Sequence, residues 1–189
     1  MIIKKSDLNL VKVINNPPSE FTFGGEVDAA MLTNILLDKM DELGGVSLSA
    51  NQVGVDLQVF VMGIKDVRME FFNPKITSYS TDEVLMTEGS LFYPGMKLEV
   101  KRPSSITVEY YDKTGKHIVT EFNGLTARIF QHEYDHMQGI TLKEKVSKLK
   151  WDMAAKRFKN KKEKLIKKFT QKTLMGIKEE VERMQNGNS

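Results

Sequence analysis

The run LTARIFQHEYDHMQG, residues 125–139, constrains the fold more than any other stretch of the chain. Leu125, Ile129, His132 and His136 recur at the 3.6-residue period of a helix, and Gly139 supplies a stop. Because the stripe that carries the histidines also carries apolar residues, the helix is expected to pack into a core with two imidazoles on its buried face. Histidines four apart stand one turn above the other, so both can reach one cation, and Glu133 stands beside them. A solvated face that matches H-E-x-x-H by chance would not continue through Leu125 and Ile129.

A hydrolytic metal site of this kind takes a third protein ligand and leaves a position to water. The chain has no cysteine and only one further histidine, His117. That residue falls on a polar strand beside a turn, with Ile118 facing the other way, and reads as an exposed strand histidine. The extended motif that ends in a third histidine has Leu142 at that place. The nearest glutamate on a following helix, Glu163, lies in the charge run KNKKEKLIKK. Spacing alone leaves the third ligand open.

Around this helix the pattern is mixed. EVDAAMLTNILLDKMDEL sets Met31, Ile35, Leu36, Met40 and Leu43 at helical spacing, ended by Gly44 and Gly45. LQVFVMGI, MEFFNPKI, MKLEVKR, SITVEYYD and KHIVTEF then read as antiparallel strands, the last two joined by the turn DKTG. One helix, a block of strands and a second helix predict an α+β fold: antiparallel strands around a central metal-binding helix that carries HEYDH, with an N-terminal helix and a basic C-terminal helix. At 189 residues the chain suits one core that buries roughly 70% of its unfolded surface. Without cysteine, disulfides and thiolate sites are excluded. The opening residues MIIKKSDLNLVKVINNPP mix charges into the apolar run and offer no small-residue cleavage site, and no apolar run is long enough to span a membrane. A cytoplasmic protein is expected.

Charge divides the chain further. From Lys143 to the end there are 15 Lys and Arg against 6 Asp and Glu, although the whole chain carries only +3. Residues 1–147 are therefore read as the catalytic domain and 148–189 as a basic amphipathic helical extension. In that extension Trp151, Ala154, Ala155, Phe158, Leu165 and Phe169 recur at helical spacing, with a break expected at Gly176.

The chemistry of H-E-x-x-H, a cation that polarises a carbonyl beside a carboxylate that moves protons, suits amide hydrolysis. From Leu43 to Val146 the chain resembles peptide deformylase. QHEYDH, preceded by GLTAR and followed by MQG, reproduces the family motif Q-H-E-x-D-H. GVSLSANQ is similar to G-x-G-x-A-A-x-Q, keeping Gly45, Leu48, Ala50 and Gln52 but placing Ser47 and Ser49 in the remaining positions. EGSLFYPG is similar to E-G-C-L-S, with Glu88, Gly89 and Leu91 kept and Ser90 in place of cysteine.

The resemblance implies removal of the formyl group from the N-terminal formyl-methionine of nascent polypeptides. It implies one divalent ion, Fe2+ by nature, with Zn2+, Ni2+ or Co2+ as substitutes, held by His132, His136 and the residue at the Ser90 position. A seryl hydroxyl is a poorer ligand than a thiolate, so affinity is expected to fall, with Glu88 or Gln131 lending support from behind. Glu133 would carry the proton of the attacking water to the departing amine. The side-chain amide of Gln52 and the backbone N–H of Leu91 would meet the oxyanion. Gly45, Val46 and Ser47 would run beside the substrate backbone together with Glu88 and Gly89, and Leu125 and Ile129 would face the methionine side chain. Arg128, one turn before His132, is expected to extend to solvent. A cationic helix on an enzyme of nascent chains also suggests docking on the ribosome, whereas no membrane partner and no reader of nucleic-acid sequence is expected. A weakened deformylase-like protein that binds formylated chain ends or ribosomes stands as the alternative, and Ser90 is what keeps it open.

Overall fold

The computed structural model describes Leu10 and residues 17–64, 66–161, 163, 164, 171 and 175. Its elements run α1 (Ala29–Glu42), β1 (Ser47–Ser49), a 3-10 turn (Ala50–Val53), β2 (Val59–Ile64), β3 (Val67–Tyr79), β4 (Glu83–Gly89), β5 (Lys97–Pro103), β6 (Ser105–Tyr111), β7 (His117–Asn123) and α2 (Gly124–Met137). Five strands form one antiparallel sheet in the order β1-β2-β3-β6-β7, and β4 and β5 form a separate antiparallel pair. The expected α+β architecture is the one observed.

Strand alternation sets up the layers. On β2, Val59 and Val61 face one way, into a core with Leu32, Leu36 and Met40 of α1. Phe60 and Met62 face the other way, into a second core with Ala127, Ile129 and Phe130 of α2. Phe72 and Phe71 divide between the same two cores, and the Phe60 and Phe71 rings stack across the strand pair at 4.6 Å. The sheet is thus covered by a helix on each face, and β2 is buried on both. On β1, Leu48 points into the α1 core, which leaves Ser47 and Ser49 on the α2 face.

Particular expectations shift. The buried face of α1 is Ala29, Leu32, Thr33, Leu36, Lys39 and Met40, while Met31 and Ile35 are half-buried and Leu43 is the C-cap. The stop at Gly139 is as expected, with φ +71°, a conformation that a side chain would strain. Strands β1 and β4 were not anticipated. β1 has three residues, and β4 exposes Val84 and Leu85 in succession, so neither shows the alternation that marks a half-buried strand.

The chain divides into two compact units, Met1–Val146 and Ser147–Ser189. Within the second, residues 148–161 are helical, with Trp151, Ala154, Ala155 and Phe158 half-buried and the charged residues between them, Asp152, Lys156 and Arg157, exposed. Leu165, Phe169 and Gly176 lie outside the described residues, as does most of the N-terminal run. No described helix is long and apolar enough to cross a membrane.

Candidate metal centre

Helix α2 delivers His132, Glu133 and His136 to the interior as buried residues. One ligand atom from each lies within 4.8 Å of the others. Their hydrogen bonds decide which atoms are offered. His136 Nδ1 stands 3.2 Å from the Ile140 carbonyl, which can only accept, so Nδ1 carries the proton and Nε2 is a bare lone pair. That Nε2 is buried without a partner. His132 Nδ1 lies 2.9 Å from Glu88 Oε2 and donates to that carboxylate, which again leaves Nε2 as the free nitrogen. Burial, followed by the neighbouring His132, holds His136 well below its ordinary pKa and so keeps it neutral. A buried lone pair with no donor facing it costs stability unless a cation takes it up. These donors therefore fit a divalent ion, which His132 and His136 would hold through Nε2.

Glu88 is the anchor of the site. Burial would raise its carboxyl, but hydrogen bonds from His132 and Arg102 outweigh that and bring it down to about 2. Arg102 grips both oxygens, Nε to Oε1 at 2.7 Å and Nη2 to Oε2 at 3.0 Å, and also reaches Asp135. Arg128 Nη1 adds a bond to Oε1 at 2.9 Å. The expectation that Arg128 extends to solvent is corrected. It is 5% exposed, and its remaining bonds go to the carbonyls of Val84 and Val100, one on each strand of the β4–β5 pair. An arginine beside a buried carboxylate and two backbone carbonyls that accept from it is more stable inside than in water. Gln131, expected to support the site from behind, donates instead to the carbonyls of Pro103 and Ala127.

Glu133 is buried, which pushes its carboxyl up against the pull of His132 and of the Ser47 and Ser49 hydroxyls. Ser47 Oγ donates to Oε1 at 2.6 Å, and Oε2 is buried without a partner. Gln52, 1% exposed, accepts two bonds at Oε1, from the Ser49 N–H at 2.9 Å and the Ser49 hydroxyl at 2.8 Å. With its oxygen held twice, the NH2 end of the Gln52 amide is the end left to donate.

The other expected residues group around this centre. A pocket of about 330 Å³ is lined by Val46, Ser47, Glu88, Gly89, Leu125, Arg128, Ile129 and His132, together with Gly63 and Thr87. Leu125 stands at its mouth, 52% exposed, and so does not continue the buried stripe that the sequence suggested. A Cβ at Gly45 would lie 3.2 Å from Leu91 Cδ1, so glycine lets the Leu91 loop come against β1. Ser90 sits at the end of β4, between Glu88, which holds His132, and Phe92, whose ring lies 5.2 Å from that of His136. Its hydroxyl accepts from the Phe92 N–H at 3.3 Å. His117 is surface-exposed beside Glu109, as expected.

Arg102, Asp135, Phe92 and the Ile140 carbonyl were missed. A signal existed for one of them: on β5 the buried positions are Leu98, Val100 and Arg102, so strand parity alone places that arginine inside.

Two helix imidazoles with bare Nε2 atoms, next to a buried carboxylate and a preset amide donor, define a metal-dependent hydrolase centre of the H-E-x-x-H class. The family model described as polypeptide deformylase matches residues 2–152. The chain belongs to that family, a family of metal-dependent hydrolases. It is 36% identical over 134 residues to the peptide deformylase of Cytophaga hutchinsonii, a match that covers 67% of this chain and 73% of that one. It is 37% identical over 138 residues to that of Rhizobium meliloti, covering 70% and 79%. Among solved structures, the Synechococcus elongatus deformylase in complex with actinonin superposes with a TM-score of 0.74 at 29% identity, over 79% of this chain and 85% of that one. A plant peptide deformylase gives 0.74 at 28% identity, over 89% and 96%.

Proposed function

We propose that this chain hydrolyses the formyl amide at the N-terminal methionine of new polypeptides, releasing formate. The observation that carries this reading is the buried, unpartnered pair of atoms on α2, His136 Nε2 and Glu133 Oε2. The first is placed to serve as a metal ligand, and the second to serve as a general base. A divalent ion between the two imidazoles would polarise the formyl carbonyl and lower the pKa of a nearby water. Glu133 Oε2 takes the proton from the attacking water and passes it to the amine nitrogen as the C–N bond breaks. The Gln52 amide and the Leu91 N–H face the charge that grows on the formyl oxygen. The pocket behind Leu125 and Ile129 receives the methionine side chain, and Val46, Ser47 and Gly89 flank the peptide backbone.

Two imidazoles with oxygen donors suit Fe2+, and also Zn2+, Co2+ or Ni2+. Ser90 is the neutral third donor in this reading. Residues 1–147 form the catalytic domain, the basic extension 148–189 docks on the ribosome, and the enzyme works in the cytoplasm. The test is formate release from a formyl-methionyl peptide with each metal supplied, by the parent and by Glu133→Gln. The variant should keep its ion and lose on the order of 10² or more in rate. A fully active Glu133→Gln would overturn the mechanism, and a parent that binds metal but releases no formate would overturn the function.

A further inference from the structure

Ser47 and Ser49 are neighbours on the α2 face of β1, and each gives its hydroxyl to one of the two side chains assigned to chemistry. For Gln52 the backbone N–H of Ser49 makes the same contact, so that hydroxyl is a second support. For Glu133 the direct bond comes from Ser47, 2.6 Å to Oε1, whereas the Ser49 hydroxyl, which also pulls on the carboxylate, gives its proton to Gln52. We propose that Ser47 is a positioning residue for Glu133, pinning Oε1 so that Oε2 alone, in one fixed orientation, is presented to the attacking water. The proposal rests on the hydrolytic reading above and adds a residue to it.

A glutamate carboxylate has a soft terminal torsion, so its two oxygens exchange places unless something distinguishes them. Here the 2.6 Å bond from Ser47 distinguishes them, because one oxygen is taken and the other is buried and unpartnered. Proton transfer depends steeply on such alignment, and a carboxylate that turns freely spends part of its time misdirected. Ser47 is placed for this by the strand itself. Leu48 fixes the register by sitting fully buried in the α1 core, and residues 47 and 49 then face α2 with no choice of side. Ser47 also holds its place without backbone strain, since Asn73 is the sole described non-glycine residue with positive φ. Serine here is therefore not simply a bulkier wall on the peptide path, the reading that its place in the substrate pocket would otherwise suggest.

The two roles separate in kinetics. A hydroxyl that only narrows the pocket affects KM, and its removal leaves kcat alone or improves binding. A hydroxyl that aligns the base affects kcat at constant KM. In Ser47→Ala, kcat for formate release from a formyl-methionyl peptide should fall roughly tenfold, with KM and ion affinity by chelator competition within about twofold of the parent. Ser47→Thr, which keeps the hydroxyl, should restore most of kcat. An unchanged kcat in Ser47→Ala, a change confined to KM, or a loss of ion affinity that accounts for the loss of rate would each overturn the assignment. Infrared spectroscopy supplies a readout that needs no turnover. The carboxylate band that Glu133→Gln removes should shift in Ser47→Ala and stay put in Ser47→Thr. If the parent releases no formate, the hydrolytic reading fails on its own, and a band that does not move in Ser47→Ala would separately refute the contact.

Discussion

Glu88→Gln removes the one negative charge that holds Arg102, Arg128 and His132 together inside the domain. The size of the effect follows from two independent routes. The folded-state carboxyl lies at about 2 against an ordinary 4.5, and at roughly 1.4 kcal/mol per pH unit this corresponds to about 3 kcal/mol of stability. Removing one partner of a buried ion pair costs about 3–5 kcal/mol, because the remaining charges stay buried. The two agree in magnitude, and they also fix the pH dependence. A carboxyl lowered by folding contributes fully above its unfolded value of 4.5, and the contribution is lost as pH falls from there through about 2. The assay is urea unfolding of the parent and Glu88→Gln in the presence of chelator, from neutral pH downward. The gap between the two curves should be about 3 kcal/mol at neutral pH and should close as pH drops below 4.5. Stability curves that run parallel across that range would refute the view that Glu88 is held ionised by its neighbours.

Arg128→Met should cost about 2–4 kcal/mol in the same assay, since it strips donors from Glu88 and from the Val84 and Val100 carbonyls, and Arg128→Lys should not restore it because one ammonium cannot span all three. Ser90→Cys should tighten metal binding by roughly tenfold or more in chelator competition and raise formate release at limiting metal, while equal affinity would place Ser90 outside the coordination sphere. Truncation after Ser147 should leave hydrolysis of short peptides intact yet abolish a salt-sensitive co-sedimentation with ribosomes. Equal sedimentation of both forms would discard the docking role.

Much of this was legible from periodicity. The 3.6 stripe through Ile129, His132 and His136 placed the metal ligands on a buried helix, and strand alternation placed Ile106 and Val108 in the core. What stayed hidden was polar burial. Arg128 read as a surface charge because a lone arginine belongs in water, and the convergence of Glu88 with two carbonyls from distant segments reverses that preference, while Arg102, signalled by strand parity, lacked any sequence cue to its partners Glu88 and Asp135. The serines of β1 were visible as departures from the family pattern, but their acceptors are fixed by tertiary placement: Glu133 is 86 residues away from Ser47. Leu125 shows the converse case, an apolar residue on the right stripe that the pocket leaves open to solvent.

The double burial of β2 carries a consequence for how the chain is made. One face of the sheet is closed by α1, which precedes it in synthesis, so Leu36 and Met40 are already made when Val59 and Val61 appear. The other face waits. Phe60, Met62, Phe71, Ile106 and Val108 have no cover until α2 follows, some sixty residues after β2. During that interval the unfinished chain presents a broad aromatic surface of the kind that aggregates or recruits chaperones. The helix that finally hides it is also the one that brings His132, Glu133 and His136. Burial of that surface and delivery of the site residues therefore depend on the same late-made helix.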